Sequence, residues 1–197
     1  MYAAGINDEA LDRDKYIHIV SCNTHNIAVV IKNIALDDTS ENFVSGRFVC
    51  IRRANDISQD AHFIPSPEVG GHKDEKGTHH ARDVWHLYQT VNLDLDVFSS
   101  AMKVNTQYMH SIWFDIKVKN EITKEDVIER FTKNPRVAIT HKTHANLVFS
   151  FGRDHGHYGR ILNQTVIVLP TLHVRNNKEV IGFCFTPQDG NSLLSSV

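Results

Sequence analysis

The apolar positions between residues 16 and 36 change their spacing part-way along. Tyr16, His18, Val20 and Cys22 alternate at period two, the mark of a strand, whereas Ile27, Val30, Ile31 and Ile34 recur at the spacing of one helix face. The pattern predicts a strand running straight into a helix with Cys22 at the junction, and Asn23, Thr24 and Asn26 are the candidate caps. A polar turn at 37–42 leads to a strand over 43–53, FVSGRFVCIRR, in which Gly46 marks a bulge or a close approach of other backbone. Residues 55–78 form a long polar loop broken by Pro65, Pro67, Gly70, Gly71 and Gly77, and THHARDV at 78–84 returns the chain to ordered structure.

Further along, 101–104 reads as a short strand and 108–118 as a longer one, with Tyr108, His110, Ile112, Phe114, Ile116 and Val118 on one face. A capped helix with an acidic first turn follows at 123–131, then a strand at 136–140 and a second helix at 145–152 with RDHG behind it, ending at glycine. Two strands at 165–174 and 179–185 meet in a hairpin at Asn176–Asn177. Strands outnumber helices and several neighbours read as antiparallel. The expected fold class is therefore α+β: one mixed, largely antiparallel sheet covered on one face by helices.

Size and charge narrow the function classes. A chain of 197 residues is long enough for one well-buried core, and 41% hydrophobic with 22% charged residues is ordinary globular composition. A net charge of -2 gives no global field for nucleic acid or an anionic membrane. The three cysteines sit in no CxxC spacing, which argues against a disulfide scaffold and for a reducing compartment; with no leader-like segment at the start, a cytoplasmic location is expected. Thirteen histidines invite a metal hypothesis that the spacing does not support: there is no HExxH, and His141 and His144 have no carboxylate or cysteine at ligand distance along the chain, so no metal is expected. Neither GxGxxG nor a P-loop is present.

Cys22 is the sharpest chemical candidate. At a helix start, unpaired N–H groups and the positive end of the dipole favour the thiolate, the form that acts as nucleophile. The plainer alternative is a cysteine that only packs, since free cysteine is among the most buried residue types. His110 likewise reads either as a core histidine at the start of an apolar strand face or as a base.

Several segments carry a resemblance. YIHIVSCNTHNI around Cys22 resembles the VVSCNTTGL segment of the archaeal, type II glyceraldehyde-3-phosphate dehydrogenases; CIRRAND resembles their IRRAAD and THHARDV their SHHGPDV. AMKVNTQYMH resembles AFVVPTTLMH, FGRDHG the ARDLG type of helix end, and FTPQDG the AVHQES segment. These matches run in order over nearly the whole chain and resemble the catalytic, C-terminal domain, without the dinucleotide-binding half.

The resemblance implies a single catalytic domain over 1–197, with Cys22 as nucleophile toward the aldehyde and His110 as the base that takes the hydroxyl proton as hydride leaves. It further implies that Ser21, Asn23 and Thr24 hold the substrate around the sulfur and that His79 and His80 meet substrate or phosphate. Arg53 and Gln188 would touch the cofactor, Arg52 being the less expected of the two arginines. NAD or NADP would come from a dinucleotide-binding domain supplied elsewhere. A phosphorylated aldehyde and inorganic phosphate would be the ligands, and a homo-oligomer the assembly. This sequence departs from the family at His110-Ser111-Ile112, where the pattern is His-x-His: if His110 matches the first of the two, the base is missing. His25-Asn26 stands in place of Thr-Gly, and Asp189-Gly190 in place of Glu-Ser. The alternative reading is a binding or assembly module that keeps the fold without the reaction. A cysteine hydrolase would need an Asn or Asp to orient the histidine, and none stands out.

Overall fold

The computed structural model describes residues 1–13, 15–36, 42–54, 66–106, 108–155, 160–188 and 190–196. Most of the polar turn at 37–42, the loop part 55–65, Gly156 of the RDHG stretch, and Asp189 lie outside the described residues.

One sheet organises the chain. Its strands are β1 (Phe43–Arg53), β2 (Glu68–Val69), β3 (Val97–Val104), β4 (His110–Val118), β5 (Val137–Thr140), β6 (Thr165–Val168), β7 (His173–Arg175) and β8 (Glu179–Thr186). The order across it is β2-β3-β1-β4-β8-β6-β5, with β7 paired to β8. The pairs β1–β3 and β5–β6 are parallel and the rest are antiparallel, which gives the mixed, largely antiparallel sheet expected from the pattern.

Alternation along the central strands sorts the residues by face. His110, Ile112, Phe114, Ile116 and Val118 of β4 are all buried, and with Val180 and Cys184 of β8 they lie on the face covered by α1 (Cys22–Ala35). Helix α1 is buried almost all round because α2 (His79–Gln89) and α3 (Lys124–Lys133) pack on its flanks. The Tyr88 hydroxyl donates to the Ala28 carbonyl at 2.7 Å, and Arg130 donates to the Ile34 carbonyl at 3.0 Å, which fastens both flanking helices to it. Full burial of Ile27, Ile31 and Ile34 contributes about 1.5–3 kcal/mol each, so the core is built around the helix that carries Cys22. Helix α4 (Ala145–Asp154) lies on the opposite face, where Val148 meets Val166, Val168 and Phe185.

Several expectations are refined. Residues 16–21 form no sheet strand: Ile19 makes one isolated bridge to Tyr2, through Tyr2 N–H to His18 (2.8 Å) and Val20 N–H to Tyr2 (3.1 Å), and Tyr16 and Ile17 are exposed. The segment expected as one strand at 165–174 is two, because Pro170 has no N–H for a ladder and the chain makes a 3-10 turn over Leu169–Thr171. Thr171 Oγ1 fills the gap by accepting the Phe183 N–H at 2.8 Å. Strand β3 begins four residues earlier than the apolar run at 101, and β4 begins at His110 because Tyr108, at φ 70°, leaves the extended region. Helix α4 runs past Gly152 to Asp154.

Other expectations hold. Strand β1 has the expected bounds, and a Cβ on Gly46 would lie 2.9 Å from the Phe48 ring, which makes it a close approach. Helix α3 carries a capping box between Thr123 and Asp126. Asn176 and Asn177, at φ 48° and 52°, turn β7 into β8.

Candidate active site

The helix start that presents Cys22 is built from buried polar groups. Cys22 is the first residue of α1 and Ser21 holds the cap position; Asn23, Thr24 and Asn26, expected as caps, lie inside the helix with buried side chains. The Ser21 hydroxyl is paired with Thr24 Oγ1 at 2.9 Å. Asn26 Nδ2 donates to Thr186 Oγ1 at 2.7 Å, Thr186 donates to Asn23 Oδ1 at 3.2 Å, and the Cys184 thiol donates to Asn26 Oδ1 at 3.2 Å. Asn191 Nδ2 donates to the Cys22 carbonyl at 2.7 Å. These bonds bind the first turn of α1 to the end of β8 and the segment after it. The side chains of Asn23 and Thr24 are spent in that interior, so what Asn23 offers the sulfur is its backbone N–H.

The sulfur itself is less ionised than a helix start alone would make it. Burial raises the Cys22 thiol above the ordinary thiol range; the Asn23 N–H, Arg52, the N–H of Cys22 and Arg53 pull the other way without offsetting it. Of the two arginines Arg52 acts on the sulfur more strongly than Arg53. Cys22 is half-buried, whereas Cys50 and Cys184 are sealed in the core at 0% and 1% exposure. Burial pushes the Cys184 thiol up to about 12 and that of Cys50 further.

Helix α2 brings two histidines to the same place. The loop turns into it at Gly77, where φ is 83° and a Cβ would sit 2.2 Å from the Ser99 carbonyl oxygen, so only glycine fits. His79 is exposed and His80 buried, with ring centroids 3.9 Å apart. Neither ring nitrogen of His80 has a hydrogen-bond partner, and burial, with His79, Arg52 and His110 adding repulsion, pushes it down to about 3. A buried imidazole left without partners is costly, and such groups concentrate where a ligand completes them. The Nε of Arg52 is likewise buried without a partner.

His110 closes the cluster from β4. It is 4% exposed, its Nδ1 accepts the backbone N–H of Arg53 at 3.0 Å, and it acts electrostatically on His80. Arg53 and Gln188 line one small cavity with Tyr108, Met109 and Phe149, and the buried Gln188 Oε1 has no partner there. Thus segments far apart in sequence place Cys22, Arg52, Arg53, His79, His80 and His110 in one electrostatically coupled group. Sequence reasoning missed Thr186, Asn191 and Ser195, which hold the helix start. Polar His25 and Asn26 inside an otherwise apolar helix were the available signal, because buried polar groups need partners from elsewhere.

No protein-family model matches the chain. Curated relatives do: it is 27% identical over 176 residues to a glyceraldehyde-3-phosphate dehydrogenase of Sulfolobus acidocaldarius and 28% identical over 181 residues to one of Metallosphaera sedula, each match covering 87% of this chain. The chain is homologous to archaeal glyceraldehyde-3-phosphate dehydrogenase. A third relative with that printed name, from Saccharolobus islandicus, is 28% identical over 137 residues, 67% of this chain and 36% of its own length. The chain spans about half the length of the curated relatives it matches, 49% for the first two. The α+β sheet architecture agrees with a glyceraldehyde-3-phosphate-dehydrogenase-like C-terminal domain. Among the described residues no group of three or more His, Cys, Asp or Glu is arranged to hold a metal ion, and no helix is long and apolar enough to cross a membrane.

Proposed function

We propose that this chain is the catalytic domain of a phosphorylating aldehyde dehydrogenase acting on glyceraldehyde 3-phosphate, with Cys22 as the nucleophile and a Cys22 thioester, cleaved by inorganic phosphate, leading to 1,3-bisphosphoglycerate. The observation that carries it is a linked group in which Arg52 acts on both the half-buried Cys22 sulfur and His80, with His79 and His110 also acting on His80, while both ring nitrogens of His80 and the Nε of Arg52 are buried without partners. Arg52 and His79 suit the phosphate of an aldehyde substrate, because a guanidinium and an imidazole both donate to phosphate oxygens.

The residues present fit one edge of a nicotinamide: the orphaned Gln188 Oε1, next to Arg53, is an acceptor for a carboxamide N–H. Bound NAD or NADP supplies the hydride acceptor. The described residues contain no glycine-rich βαβ unit to hold the rest of the dinucleotide, so that part falls to another domain. The reading carries with it a cytoplasmic location and a homo-oligomer.

A second reading, a binding or assembly module that keeps the fold without the reaction, is favoured by Ile112. It is 1% exposed and packed in the core, one alternation on from His110 on the same strand face. Protection separates the two: glyceraldehyde 3-phosphate should shield Cys22 from iodoacetamide, followed by mass spectrometry, in the first case and leave its alkylation unchanged in the second.

A further inference from the structure

We infer that His25 and Asn191 are positioning residues for Cys22: each donates to the carbonyl of one of the two peptide units that present their N–H groups to the Cys22 sulfur, and so sets how strongly the start of α1 favours the thiolate. The consequence for catalysis rests on the reading of Cys22 as the nucleophile; the geometry and its test need no substrate. His25 stands in place of the Thr of the resembling segment, so the resemblance gives it no role.

The two units flank Cys22. The Ser21–Cys22 peptide carries the Ser21 C=O and the Cys22 N–H, and the Cys22–Asn23 peptide carries the Cys22 C=O and the Asn23 N–H. Both N–H groups act on the sulfur, that of Asn23 the more strongly. At the carbonyl ends, Ser21 O accepts the His25 backbone N–H at 3.0 Å and His25 Nδ1–H, also at 3.0 Å, while Cys22 O accepts from Asn191 Nδ2 at 2.7 Å. A carbonyl can only accept, so Nδ1 bears the proton, and Nε2 of the neutral ring takes the Ser195 hydroxyl at 2.7 Å. A peptide unit is planar, so a donor that fixes its C=O also aims its N–H. A carbonyl engaged by a side-chain donor is more polarised as well, which strengthens the N–H across the same amide.

The two arms share one anchor. Asn191 Nδ2 also donates to Gln164 O at 3.3 Å, Gln164 Nε2 donates to Ala4 O at 2.8 Å, and Ala4 N–H donates to Ser195 Oγ at 3.0 Å. A buried circuit of hydrogen bonds therefore runs from the carbonyl on one side of Cys22 to the carbonyl on the other, through the segment after β8, the residue before β6 and Ala4 near the start of the chain. His25, Gln164 and Asn191 are buried, so solvent does not compete for their donors. Burial works against the thiolate at Cys22, and the strength of the two N–H groups helps decide how far that is offset.

Iodoacetamide alkylation of the full chain tests this, with the rate at Cys22 followed by mass spectrometry between about pH 7 and 11. His25→Leu and Asn191→Leu should each raise the midpoint of the profile by about 0.5 pH unit. His25→Asn separates positioning from packing. An asparagine in α1 can donate to the carbonyl four residues back, as Asn33 Nδ2 does to Val29 O at 2.6 Å, yet it gives up the bond to Ser195 just as leucine does. Its midpoint should stay within about 0.2 pH unit of the parent. A change in accessibility alone scales the rate alike at every pH and moves no midpoint. An unchanged midpoint in either leucine variant, folded by circular dichroism, or equal rises in His25→Asn and His25→Leu, overturns the inference; if His25→Leu does not fold, the Asn191→Leu midpoint decides alone. The assay contains no aldehyde, so its outcome is independent of the protection experiment that decides the proposed function.

Discussion

His25 Nε2 and Ser195 Oγ lie 2.7 Å apart although 170 residues separate them in sequence. The bond is one link in a chain whose direction is fixed. Ala4 N–H donates to Ser195 Oγ at 3.0 Å, Ser195 donates to His25 Nε2, and His25 Nδ1–H donates to the Ser21 carbonyl at 3.0 Å, next to Cys22. Burial lowers His25 as a base, consistent with the neutral ring this direction requires. Ser195→Ala leaves two buried groups without their partner, and urea denaturation should show a loss of about 1–3 kcal/mol. A loss under about 0.5 kcal/mol would mean that the segment after β8 does not hold the helix start.

Thr186 bridges Asn26 and Asn23 in the same region. Thr186→Val keeps the shape and removes the hydroxyl from a buried network, so stability should fall by about 1–3 kcal/mol. An unchanged urea midpoint would show the network to be dispensable.

His25 and His80 are both held below the ordinary histidine value in the folded chain, His80 to about 3, with burial as the first cause. The unfolded chain then binds more protons as pH falls below about 6.5, so stability present above that value is lost toward lower pH, by up to about 1.4 kcal/mol per pH unit for each ring. Between pH 7 and 5 the urea midpoint should drop, and His80→Leu should flatten that drop. The same variant removes two buried nitrogens that have no partners, so at pH 8 its stability should match or exceed the parent by up to about 2 kcal/mol. A clear destabilisation at pH 8 would show that the ring is held by packing that leucine cannot replace.

Cys22 should be alkylated far faster than Cys50 or Cys184 because it alone of the three is partly accessible. Its rate should keep rising with pH beyond the midpoint of an ordinary thiol, since burial raises it, and Arg52→Gln should shift the profile higher still. A midpoint below that of free cysteine would mean that the helix start and the arginines outweigh burial.

Nicotinamide binding gives a further check. Isothermal titration of the chain with NAD or NADP should show no micromolar site, because the described sheet contains no βαβ unit with a glycine-rich turn. A micromolar site would mean that the cavity at Arg53 and Gln188 suffices by itself.

The sequence by itself determined what short-range geometry governs. The apolar alternation set the bounds of β1, Thr123 and Asp126 marked the capping box of α3, and two asparagines able to adopt positive φ defined the last hairpin. It also put Cys22 at a helix start, because a change from period two to period 3.6 is written in neighbouring residues. It misjudged residues 16–21 and 165–174, where alternation was present but a ladder partner or an N–H was not. Only the tertiary structure decided the state of the groups at the site: that burial outweighs the helix start at Cys22, that the Arg53 amide donates to His110 Nδ1, that the His80 ring nitrogens are left without hydrogen-bond partners, and that Asn191, Thr186 and Ser195 fasten the helix start. Protonation and tautomer depend on dehydration and on donors brought from distant segments, and no local pattern of residues encodes either.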